Sequence, residues 1–219
     1  PASLAGALLQ QNAEALFAIA LSQIVRKGAP VVYGGFTSNV DMKSGAPAFG
    51  TPENSLANMA GGQLARFYKI PYRTSACSAS NCVDAQAVWE TQMALWGAVQ
   101  GHGNMIYHAA GWQEGGLVAS YEKLVVDCEM LQAMSKMLTP LMFEDDDYGL
   151  EAHDEVNPGG HFFGASHTMS RYQTAFYEPF LSDWTNYEGW VEKGAKDTTQ
   201  RATEIWQKML AEYQAPALE

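Results

Sequence analysis

Apolar residues of helical period open the chain. Leu8, Leu9, Leu16, Ile19, Ala20 and Ile24 recur at near-helical spacing with Asn12 among them; Ser3 stands at a cap position, and Gly28 follows Arg26 and Lys27. This predicts a helix from Leu4 to Arg26. Pro30 then releases the chain, and the run Val31, Val32, Tyr33 predicts a short strand ending in Gly34-Gly35, where the backbone can turn or lie close to a ligand. Periodicity is lost between Phe36 and Gly50, a long loop carrying Gly45 and Pro47, and loops of that kind in compact domains are often functional.

It resumes at Thr51-Pro52-Glu53, a capping residue, a proline at the first helical position and an acidic side chain against the dipole. Leu56, Met59, Ala60, Leu64 and Phe67 are the predicted core positions of that helix. A second strand is predicted from Ile70 to Ser75, followed by a loop of small polar residues from Ala76 to Cys82. Asp84 can cap a third helix reaching Gln100, buried through Val88, Leu95 and Val99 and ended by Gly101 and Gly103. Met105 to His108 reads as a third strand, and its loop is AAGWQEGG.

Ser120 to Leu138 is a further helix, buried through Leu124, Val125, Cys128, Leu131 and Met134, before Pro140. A weak fourth strand is predicted around His161 to Phe163. The last helix has Asp197 and Gln200 in capping-box register, and Ala202, Ile205, Trp206, Met209 and Tyr213 form its apolar face.

Helices and strands therefore alternate, and the fold class is α/β. About four βα units plus C-terminal helices, read as one domain over 1–219, match half of an eight-stranded TIM-type barrel, since a complete barrel typically takes about 250 residues. An open flavodoxin-like sheet is the structural alternative. The chain starts at Pro1 without Met and enters almost directly a long helix, so a fragment of a longer protein is expected. In a barrel the loops after the strands gather at one face and carry the active site, which makes position after a strand a statement about function.

Charge narrows the partners. Thirteen basic and 24 acidic residues leave a formal net charge of −11, which disfavours nucleic acid and anionic membrane surfaces and suits a cationic ligand. Cys77, Cys82 and Cys128 are an odd count without a paired framework and point to a reducing compartment, the cytoplasm. No signal peptide or membrane span is expected. The acidic stretch Glu144 to Asp147 reads as a solvated turn, and no metal site is expected, because His153, Asp154, His161, His167 and Cys128 have no recognised ligand spacing. The glycine pairs do not form a dinucleotide-binding fingerprint, and no nucleophile elbow is present.

Two constellations follow strands. His108, with Gln113 and Glu114 in the next loop, is the leading polar group. Tyr33, Phe36, Phe49, Tyr107 and Trp112 all lie at or after strand ends and could line an aromatic cage, although core packing explains aromatics at such places equally well. A desolvated cation over a ring gains about 2 kcal/mol or more.

Several stretches also share one likeness. SLAGALLQQNAEALFAIALSQIVRKGAPVVYGG, SGAPAFGTPE, CVDAQAVWE, SYEKLVVDCEM, NPGGHFFGASHTMSRY and the closing GAKDTTQRATE, in this order, resemble the trimethylamine and quaternary-amine:corrinoid methyltransferases. The likeness spans nearly the whole chain. Members of that family form a (βα)₈ barrel and are roughly twice as long, so this chain resembles their C-terminal half. The resemblance implies methyl transfer from a methylamine or betaine to the Co(I) of a separate corrinoid protein, which carries the cob(I)alamin, so that no cofactor is bound tightly here. For such chemistry the candidate substrate contacts are Tyr33, Phe36, Phe49, Tyr107, Trp112 and Gln113. His108 and Glu114 are the candidate catalytic residues, His108 being placed to bind a substrate carboxylate, touch the corrin or orient water. The candidate corrinoid contacts are Gly34, Gly35, His161, His167 and Thr168, the last three matching the family's C-terminal pattern. A homo-oligomer is expected. The trimethylamine enzymes carry a pyrrolysine in this half; every position here is a standard residue, as in members that use quaternary amines such as glycine betaine. Because cob(I)alamin supplies the nucleophile, such a protein needs no Ser-His-Asp or Cys-His pair. A half-barrel that only binds or assembles is the alternative.

Overall fold

The computed structural model describes residues 2–216 and begins with α1 (Leu4–Val25), where the Ser3 hydroxyl accepts from the Gly6 N–H at 3.2 Å. By length and composition α1 is long and apolar enough to cross a membrane, contrary to the sequence expectation. One of its polar side chains bonds to two tyrosines of later elements: Asn12 donates to the Tyr68 hydroxyl at 3.0 Å and accepts from the Tyr33 hydroxyl at 3.1 Å.

The first strand, β1, is only Tyr33–Gly34; Val31 and Val32 stand outside it. The region predicted as an irregular loop contains a small antiparallel pair, β2 (Asn39–Val40) with β3 (Pro47–Ala48). Thr51 caps α2 (Pro52–Tyr68) by accepting from the Asn54 N–H at 3.2 Å. Two further parallel strands, β4 (Tyr72–Ser75) and β5 (Met105–Tyr107), flank α3 (Ala85–Gln100), which Asp84 caps as predicted. The sheet order is β1-β4-β5, with Tyr33 opposite Tyr72 and Ser75 opposite Tyr107.

Strand alternation gives the sheet two unlike faces. Tyr33, Tyr72 and Thr74 turn toward the helices. Tyr33 is fully buried with Ala65 and Tyr72, while the Tyr72 hydroxyl donates to the Asn58 carbonyl at 2.9 Å and Thr74 donates to Asn58 Oδ1 at 2.8 Å. The alternate residues Arg73, Ser75, Met105 and Tyr107 occupy the opposite face. There Met105 and Tyr107 are 45% and 46% exposed.

α2 does not bury the stripe predicted for it. Leu56 and Phe67 are 52% and 78% exposed, whereas Asn54, Ser55, Ala57, Asn58, Gly61, Gly62 and Ala65 are buried. The reason is closeness to α3, which leaves room only for small residues. A Cβ at Gly62 would lie 1.9 Å from the Gly101 carbonyl oxygen, and one at Gly97 would lie 2.7 Å from Ser55 Cα. α3 likewise buries Ala87, Thr91, Ala94, Leu95, Gly97 and Ala98, with Val88 and Val99 only partly covered.

After β5 come a second antiparallel pair, β6 (Trp112–Gln113) with β7 (Val118–Ala119), and α4 (Tyr121–Met137). Leu124 is exposed, and Lys123, Val125, Val126 and Asp127 are the buried residues of the first turns of α4.

The chain divides into two units, one comprising residues up to Cys128 and from Thr185 onward, the other Glu129–Trp184. The second unit holds the short helices α5 (Leu150–Glu155) and α6 (Ser166–Arg171) and an ion pair between Arg171 and Asp146. The strand predicted at His161 to Phe163 is a 3₁₀ turn, Phe162–Gly164, with Phe163 exposed; no partner strand pairs with it among the described residues. The first unit closes with α7 (Tyr187–Glu192) and α8 (Thr198–Glu212), the latter with the predicted capping box between Asp197 and Gln200. Ala202 of α8 is buried, but Met209 and Tyr213 are exposed.

Candidate active site

The carboxyl ends of the three parallel strands point the same way, and the residues just past them meet. Phe36, two positions after β1, lies 4.8 Å from Phe49 and 5.5 Å from His108, ring centre to ring centre. His108, directly after β5, stands edge-on to Trp112 at 5.3 Å and to Tyr107 at 6.1 Å. Three aromatic rings predicted from strand-end positions, Phe36, Tyr107 and Trp112, thus stand about one imidazole, and Phe49 packs against Phe36. The Arg73 guanidinium lies 4.2 Å over the Tyr107 ring and places a positive charge on the same face.

Tyr33 is the exception among the predicted cage residues. It is the first residue of its strand and points to the helix side, and its hydroxyl is bonded to Asn12. Burial pushes its phenol pKa up. Gly34 leaves the opposite face clear, since an added Cβ would meet nothing nearer than Arg73 Cδ at 3.9 Å. At Gly35 the side-chain amide of Gln11 lies 2.6 Å from an ideal Cβ position, the far end of a flexible side chain that could move aside.

His108 is held by backbone and side chain together. Its φ of 57° lies in the left-handed region, uncommon for a residue with a side chain and a feature of strained functional loops. Ring Nδ1 is 2.7 Å from the Ser75 hydroxyl at the end of the neighbouring strand. Burial, and secondarily the Arg73 charge, lower its pKa below 6.5, so the ring is neutral at neutral pH.

The loops after β4 and β5 are laced to each other. Glu90 Oε2 on α3 accepts from the Ser78 hydroxyl and from the Ala79 and Ser80 N–H groups, all at 2.9 Å, and so shapes the small polar loop. The Glu114 N–H then donates to the Ser80 carbonyl at 3.0 Å and the Gly115 N–H to the Ser78 carbonyl at 2.9 Å. Phe49 packs where a side chain at Gly115 would begin, 3.2 Å from an ideal Cβ. Gln113 is 4% exposed, and among the described residues its Nε2 has no hydrogen-bond partner, an expensive arrangement for a buried donor. The Glu114 side chain is exposed, and its φ of 49° is also left-handed.

A buried ion pair under this loop escaped the sequence reading. Lys123 and Asp127 are fully buried on α4, with Lys123 Nζ 2.5 Å from Asp127 Oδ1 and 2.8 Å from Thr91 Oγ1 on α3. Asp127 Oδ2 accepts from the Gly111 N–H at 2.8 Å, which pins the chain between His108 and Trp112. Burial pushes the Asp127 carboxyl up, and the adjacent ammonium pulls it back down. The spacing of Lys123 and Asp127, one helical turn apart, was the available signal, but such pairs usually lie on solvated faces.

Trp112 also lines a cavity of about 420 Å³ with Ala110, Ser120, Tyr121 and Leu124. Cys77, buried close to Gly116, has a thiol pushed up to about 11 by burial and is no thiolate nucleophile near neutrality. All three cysteines are free. Among the described residues no group of His, Cys, Asp and Glu is arranged to hold a metal ion.

His161, His167 and Thr168 lie in the second unit. His161 is exposed against the Phe163 ring, His167 Nε2 is 3.1 Å from the Asp146 carbonyl, and Thr168 is half-buried on α6.

Comparison with known proteins bears on all of this. The family model described as trimethylamine methyltransferase (MTTB) matches residues 1–219. A glycine betaine methyltransferase of Desulfitobacterium hafniense (strain Y51) is 40% identical over 220 residues, all of this chain and 46% of that protein. A trimethylamine methyltransferase of D. hafniense (strain DSM 10664 / DCB-2) is 34% identical over 96% of this chain and 42% of its own length. One from Methanosarcina barkeri is 31% identical over the whole chain and 44% of its own. The chain thus spans a little under half the length of these relatives. It belongs to the trimethylamine methyltransferase (MTTB) family.

Proposed function

We propose that the protein to which this chain belongs transfers a methyl group from a small methylamine, of the trimethylamine or betaine type, to the Co(I) of a separate corrinoid protein. The observation that carries the reading is the convergence of Phe36, Tyr107 and Trp112 about His108, with Phe49 packed on Phe36, at the carboxyl edge of a parallel sheet. A quaternary ammonium offers no N–H to an acceptor, so its recognition falls to aromatic faces and to the surrounding field. Such faces are present here, although Arg73 already lies over that of Tyr107, and the chain as a whole is strongly acidic. The names of the relatives in the comparison support amines as the donors.

Cob(I)alamin on the docked partner would supply the nucleophile. The open space at Gly34 is consistent with a flat macrocycle approaching the carboxyl edge from outside. This chain's task is to bind the ammonium, orient one methyl group outward and keep water from it. In this reading Phe36, Phe49, Tyr107, Trp112 and Gln113 contact the substrate, His108 and Glu114 are the catalytic pair, and Gly34, Gly35, His161, His167 and Thr168 face the corrinoid partner. Tyr33 leaves the cage for the core.

The finer architecture in this proposal is the C-terminal half of a (βα)₈ barrel. The sequential strand order β1-β4-β5, without the switch point of a doubly wound sheet, supports it, as does a helix-free sheet face that a barrel interior would cover. The free cysteines fit a reducing cytoplasm, and assembly into a homo-oligomer belongs to the same proposal.

The test is thermal unfolding of the full-length protein with trimethylamine, glycine betaine, carnitine or proline betaine in large excess. A selective rise in the midpoint with one amine is expected, because a ligand that binds only the folded state stabilises it. No shift with any of them, alone or with a corrinoid partner present, would contradict the proposal.

A further inference from the structure

The bond between Ser75 and His108 has a direction that the surroundings fix. Ser75 is 4% exposed, and among the described residues its hydroxyl has one partner, His108 Nδ1 at 2.7 Å. A buried hydroxyl proton left without an acceptor costs free energy comparable to a lost hydrogen bond. Here the acceptor in reach is the imidazole nitrogen. Serine therefore donates, Nδ1 accepts, and the neutral ring must carry its own proton on Nε2. That nitrogen has no protein partner among the described residues, and His108 as a whole is half-buried.

We infer that Ser75 is a positioning residue that locks His108 in the Nε2–H tautomer, making it a hydrogen-bond donor to a carboxylate oxygen of the amine substrate. Three features agree with a donor. The ring is braced by Phe36, Trp112 and Tyr107, so the N–H direction is set before a ligand arrives. Arg73 on the same sheet face adds positive charge that favours an anionic group. The aromatic rings beside it suit the opposite, cationic end of the same molecule. A donor with a trimethylammonium at one end and a carboxylate at the other matches both ends, whereas protonated trimethylamine, its form near neutral pH, leaves the N–H without an acceptor. The inference rests on the proposed amine reading for the ligand, but the tautomer itself does not depend on it.

The experiment uses full-length protein labelled with ¹⁵N in histidine. Long-range ¹H–¹⁵N spectra distinguish protonated from unprotonated ring nitrogens, and His108→Gln identifies the signals. The expected result is an unprotonated Nδ1 and a protonated Nε2 in the native protein, a mixture of tautomers in Ser75→Ala, and the native pattern restored in Ser75→Thr. A protonated Nδ1 in the native protein would overturn the inference. Calorimetric titration then compares glycine betaine with tetramethylammonium, which has no carboxylate. Ser75→Ala should weaken glycine betaine about tenfold, the scale of a hydrogen bond to a charged group, and leave tetramethylammonium unchanged. Equal losses for both would mean that Ser75 is merely structural. Failure of native protein to bind either cation would overturn the amine reading and the carboxylate contact with it, while the tautomer is decided by the spectra alone.

Discussion

Phe36 illustrates how one side chain carries the account, because it touches both Phe49 and His108. Phe36→Ala should weaken binding of a quaternary amine to the full-length protein about thirtyfold, the equivalent of one cation–π contact of about 2 kcal/mol, and titration calorimetry reads this directly. At the same scale, Asp127→Ala leaves the Lys123 ammonium buried without its anion. Unfolding by denaturant should show a loss of about 3–5 kcal/mol, and the double replacement Lys123→Met with Asp127→Leu should cost less. His108 also gives a pH signature. Its folded pKa lies below 6.5, so the unfolded chain binds the additional proton, and stability falls as pH drops from neutrality through that range. His108→Gln should flatten this part of the stability profile. That Phe36, Tyr107 and His108 stand at or just after strand ends was legible in the sequence, whereas their meeting with Trp112 in space was not, because it depends on how the strands pair. Tyr33 was misassigned because alternation about a two-residue strand decides its face, and the sequence does not fix where so short a strand begins.

Among the elements, the seam between α2 and α3 does most to seat the sheet. Its contacts are made by glycine, alanine, serine and asparagine, and Asn58 alone donates to the Ser75 and Ala94 carbonyls while accepting from Thr74. Gly62→Ala should destabilise by about 3 kcal/mol, measured by chemical denaturation, because backbone at Gly101 would have to move to admit the methyl group. The predicted stripe of Leu56 and Phe67 followed hydrophobicity, whereas the observed buried face follows size, and a periodicity argument weighted by apolar character cannot see that. Helix starts fared better. Ser3, Thr51, Asp84 and Asp197 all cap where the sequence placed them, since a cap is a local bond between neighbours in sequence. The strand expected near His161 became a 3₁₀ turn because nothing in the local sequence supplies a pairing partner.

At the scale of the whole molecule, the sheet has helices on one side and half-exposed Met105 and Tyr107 on the other. The chain also spans less than half the length of the relatives it matches. Both are accounted for if the rest of a longer protein covers that face and completes the site. Methyl transfer by this 219-residue chain alone should therefore be undetectable. The family was legible from motifs spread along the chain, while the exposure of one sheet face was not, because strands of two to four residues leave their inward and outward positions undecided in the sequence. The central claim is tested most directly by following the loss of cob(I)alamin absorbance when the full-length protein and its corrinoid partner are mixed with glycine betaine. The account predicts turnover that the native protein supports and that Phe36→Ala and Trp112→Ala reduce at least tenfold at subsaturating amine. Turnover equally fast in both variants would show that the ring cluster about His108 is not where the amine binds.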